Sequence, residues 1–126
     1  MSKNDPIETH YRVYHAPGGV TAGIAQLPKH PSLRQLHAVI DPLLDHGELE
    51  HVTVLADFTG KGVLRVLDMF VDEDGMKKGL QRNEAATEHY RRACLMGRTP
   101  VPVPSDPETL DYVVGNAVLF DRKVWF

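Results

Sequence analysis

Seven histidines, His10, His15, His30, His37, His46, His51 and His89, are the first residues to weigh for chemistry. Imidazole binds metals and moves protons near neutral pH. His37 and Asp41 stand four apart, which on a straight helix places them on one face. Asp45-His46 and Glu50-His51 lie nearby. A zinc site needs three or four converging ligands. The chain has no His-x-x-x-His pair and no Glu bridging one. The histidines therefore read as surface or half-buried side chains, and no metal site is assigned. Asp72-Glu73-Asp74-Gly75 has the look of a calcium loop. With Gly75 as sixth residue, Phe70 and Gln81 fall where the loop needs acids, so an EF-hand is rejected. The segment reads as an acidic turn.

Nucleophiles are scarce. Cys94 stands alone, near Arg91 and Arg92, which would lower its pKa on close approach. It also falls on an apolar helical stripe, where cysteine acts as a small hydrophobe, and buried filler is the expectation. Ser2, Ser32 and Ser105 form no Gly-x-Ser-x-Gly elbow. Gly60-Lys61-Gly62 lacks the glycine spacing and the Ser or Thr of a phosphate-binding P-loop. No dinucleotide fingerprint is present either. The sequence assigns no catalytic residue and no cofactor, and a non-enzymatic protein is expected, with a small-ligand-binding domain or an enzyme of unknown reaction as an alternative.

Charge is more informative. The net charge is −3, with 14 basic and 17 acidic side chains, which argues against binding DNA through global charge. The distribution is uneven. Asp41 to Gly75 carries nine acids against Lys61 and Arg65. Lys77 to Arg98 carries six bases against Glu84 and Glu88. The two lobes either neutralise each other across the fold or offer a two-signed surface to a partner. The candidate partner-binding residues are Lys77, Lys78, Arg82, Asn83, Thr87, Arg91 and Arg92. A protein partner or a homodimer is expected. Nucleic acid, held by Arg82 to Arg98 with Tyr90 for stacking, is the alternative.

These side chains need elements to position them. The 126 residues, 42% apolar and 25% charged, suit one soluble domain spanning 1–126. No apolar run approaches a membrane span. Met1 to Pro6 lacks the apolar stretch of a signal peptide, so a cytoplasmic location without membrane contact is expected. Residues 1–7 read as a disordered terminus. Thr9 to His15 alternates as a strand, and Val20 to Leu27 returns after the Pro17-Gly18-Gly19 turn, weakened by Gly23. Ser32 is a suitable N-cap. Leu33, Leu36, Val39, Ile40, Leu43 and Leu44 follow helical spacing, with a kink or break near Asp41 because of Pro42. Leu49 to Asp57 and Val63 to Val71 read as antiparallel neighbours. The second has apolar residues on both faces, which marks it as central. Asn83 caps a helix running to about Met96, with Ala86, Tyr90, Ala93 and Cys94 as its apolar stripe. Residues 99–107 form a proline-rich loop. Asp106 and Pro107 start a single helical turn. Tyr112 to Phe120 is the last long strand, interrupted at Gly115-Asn116, and Lys123 to Phe126 extends or brackets it. The expected fold is α+β: a mainly antiparallel sheet of four to five strands with two helices packed on one face.

Three pieces of the C-terminal half carry a resemblance. They are Met69 to Gly75, Lys78 to Thr87 (Lys-Gly-Leu-Gln-Arg-Asn-Glu-Ala-Ala-Thr) and Val114 to Leu119. Together they resemble a family of plasmid, phage and bacterial proteins catalogued as domain of unknown function 3846. Its pattern is a strand, an acidic-Gly turn, a Gly-Leu-x-x-Asn segment, a helix opening with Ala-Thr, and a final Val-Gly-x-Ala strand. The resemblance covers roughly Leu33 to Phe120. The Pro42 stretch and the Thr99 to Pro107 loop look like additions, and the N-terminal hairpin lies outside it. It implies an accessory protein of a mobile element or bacterium and brings no activity with it. Asn83 and Thr87 at a helix start beside Arg82 read mainly as structural, with a small anion or ligand site as the other reading.

Overall fold

The computed structural model describes residues 5–126. Residues 1–4 of the expected disordered terminus lie outside them, and Ile7 already belongs to the first strand. β1 (Ile7–Tyr14) and β2 (Val20–Leu27) pair antiparallel without a bulge, from Ile7 opposite Leu27 to Tyr14 opposite Val20. Gly23 does not break this hairpin. The Tyr11 ring lies where a side chain at position 23 would stand, so cross-strand packing replaces what glycine lacks.

α1 (Leu33–Ile40) opens with a capping box. Ser32 Oγ accepts from the Gln35 amide, and the Ser32 amide donates to Gln35 Oε1. Pro42 ends the α-helical ladder where expected, and Asp41–Leu44 continues as one tighter 3-10 turn. β3 (Leu49–Ala56) and β4 (Arg65–Asp72) form the second hairpin. β4 begins two residues later than its alternation predicts. The Asp57 carboxylate accepts from the Gly60 and Gly62 amides and holds the connection as a turn, leaving Val63 and Leu64 exposed.

α2 (Glu84–Leu95) starts at its predicted cap. β5 is only Ala117–Phe120, because Gly115 adopts a φ of +75° and turns the preceding segment out of the sheet. Val114 keeps a single bridge, to Arg82. Lys123 to Phe126 does not extend the strand either. The Val124 and Trp125 amides donate to Asp68 instead.

The sheet order is β2-β1-β5-β4-β3, all antiparallel. The last strand of the chain thus fills the centre, joining two hairpins that do not otherwise pair. The α+β class and the five-stranded sheet are as expected. The placement of both helices on one face is not. Met69, Leu119, Ala117 and Tyr14 face α2 through Ala86 and Tyr90. Phe70, Val118, Phe120 and Val13 face α1 through Leu36 and Ile40. The reason is in β4 and β5, whose alternating residues are apolar on both sides. A single helical layer would leave Phe70 and Phe120 in water, at about 1.5–3 kcal/mol per large side chain. Among the described residues no helix is long and apolar enough to cross a membrane.

Candidate functional site

The residues selected from the sequence scatter once the chain folds. Asn83 is 1% exposed and Thr87 2%. The Asn83 amide nitrogen donates to the Tyr14 and Gly115 carbonyls at 2.8 and 2.9 Å, and its oxygen accepts from the Ala86 amide. The Thr87 hydroxyl accepts from the Val113 amide at 2.9 Å. Both are interior residues, which corrects their assignment to a partner surface. Neither is among the residues lining the clefts at Glu50 and at Gly79, and the polar atoms that an anion or ligand site built on them with Arg82 would use are spent inside the chain.

The basic residues are mostly engaged within the chain. Arg91 donates to the Asp111 and Leu110 carbonyls and to the Glu108 carboxylate. Its side chain is 12% exposed, and it pins the 108–111 segment against α2. Arg92 holds the Leu55 carbonyl of β3 and pairs with Glu88. Arg82 pairs with Glu84 and lies over the Tyr112 ring. Lys78 reaches Asp72 at 2.7 Å, among the described residues the one ion pair that joins the acidic lobe to the basic one. Lys77 is exposed and makes no ion pair among the described residues.

The acids are the less satisfied partners. A cleft of about 620 Å³ opens between β3, the end of β4, α2 and the loops at 99–101 and 111–114. That volume suits a small molecule or one large side chain. Its walls include Val52, Val101 and the rings of Tyr90 and Tyr112. Glu50, Glu73 and Asp111 bring carboxylates to it. None of the three makes an ion pair among the described residues. Partial burial, then Glu73 and Asp111, push the Glu50 pKa above its ordinary value. Burial, then the Cys94 thiol, push the Tyr90 hydroxyl up to about 12, so it stays a neutral donor. The cleft therefore favours a positive group. No three His, Cys, Asp or Glu side chains among the described residues come together to hold a metal ion. Asp111 enters the cleft because Arg91 fixes its loop, a link across 20 residues that no local motif announces.

A second cluster escaped sequence reasoning. Asp68 lies on the α1 face of β4 and is 7% exposed. One carboxylate oxygen meets His51 Nε2 at 2.6 Å. The other accepts from the Val124 and Trp125 amides at 2.8 and 3.0 Å. The Trp125 ring stacks on His51, centroids 5.1 Å apart and planes 7° from parallel. Burial raises the Asp68 pKa, but the His51 bond and the Trp125 and Val124 amides outweigh it, and the net shift is downward. Both carboxylate oxygens are engaged within the chain, so this is a latch for the C-terminal segment. His51 also lines the cleft, so the latch braces the cleft's β3 wall. The only trace of it in the sequence is a carboxylate on an otherwise apolar strand face.

Cys94 is buried with the Thr99 hydroxyl on its sulfur, as a packing residue would be. Comparisons with protein families, curated proteins and solved structures find no match.

Proposed function

We propose that this protein is a non-enzymatic binding module that takes a lysine or arginine side chain of a partner protein into the cleft beside β3. One observation carries the reading: Glu50, Glu73 and Asp111 line a single concavity, and among the described residues none of the three makes an ion pair. Partial burial first, and then repulsion from Glu73 and Asp111, hold the Glu50 pKa above its ordinary value. An ammonium or guanidinium group between them relieves that repulsion. The aromatic walls then suit its aliphatic stem or guanidinium plane. The sign is the reverse of the one the basic segment suggests, since Arg91 and Arg92 spend their donors inside the chain. The same engagement removes the best phosphate contacts from the nucleic-acid alternative. The accessory role implied by the resemblance to domain of unknown function 3846 agrees with a module of this kind.

The test is calorimetric titration with short peptides bearing lysine or arginine between apolar residues, at low and high salt. The double variant Glu50→Gln, Asp111→Asn should bind about tenfold more weakly or worse, a loss of about 1.4 kcal/mol. Both side chains are exposed, so the fold is kept. Equal binding by wild type and variant, or none by wild type, would sink the reading.

A further inference from the structure

We propose that β2 is the contact edge of a homodimer, in which two copies join their sheets by antiparallel pairing of β2 with itself. Among the described residues, half of the β2 backbone groups have no partner strand. In the loop, the His15 amide donates to the Gly19 carbonyl, and on the far side of β1 the His10 carbonyl accepts from Asp121. Antiparallel ladders alternate, so the odd residues of β1 turn their backbone groups toward β2 and the even ones toward β5. The register places Tyr11 opposite Gly23 and Val13 opposite Thr21. Thr21, Gly23 and Ala25 therefore spend their N–H and C=O on β1. Val20, Ala22, Ile24 and Gln26 point theirs away from the sheet. Among the described residues no strand lies on that side.

Exposed edges are ordinarily protected by charge, proline or a bulge. β2 has none of these over its eight residues, Val-Thr-Ala-Gly-Ile-Ala-Gln-Leu, and it pairs with β1 without interruption. The opposite edge is managed differently. β3 carries Glu50 and His51, and Arg92 occupies its Leu55 carbonyl. The side chains of the outward-pointing residues add to the contrast. Val20 is 55% exposed and Ile24 54%, on the α2 side of the sheet.

A second copy is the occupant these features fit. The strand is neutral along its whole length, so self-pairing sets no like charges opposite each other. A two-fold axis through Gly23 brings all four outward residues of each copy into register, Ala22 against Ile24 and Val20 against Gln26. The small Ala22 side chain leaves room for Ile24, and on the other face the Tyr11 ring that covers each Gly23 meets the same ring of the second copy across the axis.

Light scattering on the sized protein tests this, together with amide hydrogen exchange. Wild type should have twice the 14.1 kDa chain mass. The amides of Val20, Ala22, Ile24 and Gln26 should be protected, and the protection should fall on dilution. Ile24→Lys places two ammonium groups in the contact. Ala22→Pro removes an outward N–H without touching the β1 ladder. Each should give the monomer mass, with Thr21, Gly23 and Ala25 still protected. A wild type that is monomeric at millimolar concentration, with those four amides exchanging freely, overturns the proposal, as does a dimer that survives both substitutions. The wild-type exchange pattern decides the matter even where a variant fails to fold. A monomer that still binds the cationic peptides would remove the dimer and leave the cleft reading intact.

Discussion

Replacing Asp68 by alanine should lower the unfolding free energy by about 3–5 kcal/mol, the range for removing one partner of a buried charged cluster. The carboxylate receives three donors, and two of them are main-chain amides that close the C-terminal segment over Phe70. Without it the Val124 amide, in a fully buried residue, has no acceptor. The chain has a single tryptophan, so the event has a private reporter. Trp125 emission should shift to the red and become quenchable by iodide before the sheet melts, because the latch opens ahead of the core. Urea denaturation followed by circular dichroism gives the global loss. A variant that retains wild-type stability and emission would show that the cluster contributes nothing.

The same carboxylate sets an acid limit. Its folded pKa lies below the ordinary carboxylate value, so the unfolded chain takes up the proton first as pH falls. The stabilisation is complete above the unfolded pKa and is lost as pH drops through the folded one. Wild type should therefore lose Tm below about pH 4. Asp68→Asn should start lower and show a shallower decline over that window. Parallel Tm curves for the two proteins would reject the linkage.

Asn83 should show the second large effect, about 2–4 kcal/mol for Asn83→Ala. Loss of an N-cap costs about 1 kcal/mol, and the two carbonyls that lose this donor together add about 1–3 kcal/mol. The two contributions are separable. Asn83→Asp keeps the oxygen that caps Ala86 but turns an acceptor toward the Tyr14 and Gly115 carbonyls. If the clamp matters, Asp is at least as damaging as Ala despite being an equally good cap in isolation. If Asp matches wild type in urea denaturation, Asn83 is a cap and no more. The clamp ties the start of α2 to the end of β1 and to the turn before β5, so its loss should also loosen the central strand.

Much of the fold is legible in local pattern. Alternation marked β1, β3 and β4, and Ser32 and Asn83 marked the two helix starts with the bonds their side chains make. Pro42 marked the break after α1. These succeed because a cap, a turn or an amphipathic period is a transaction among neighbours within about four residues. The errors lie where the partner is remote. Tyr112 to Val114 is as apolar as a strand, yet Val113 bonds to Thr87 and Asn83 and Val114 bridges Arg82, rather than joining the sheet. Both faces of β4 were apolar in the sequence, but that fact alone could not say that α1 and α2 would take one face each.

The site divides along the same line. The sequence by itself determined the charge inventory, the lack of a nucleophile-bearing motif, and the neutrality of β2. Only the tertiary structure decided which charges are spent. Arg91 and Arg92 turn inward because carbonyls at Leu55, Leu110 and Asp111 come within reach only after α2 docks. Among the described residues Glu50, Glu73 and Asp111 make no ion pair, because folding brings them to one cleft that no lysine or arginine of those residues lines. Electrostatic pairing depends on distance through space, and a linear chain does not state those distances until its strands are in register.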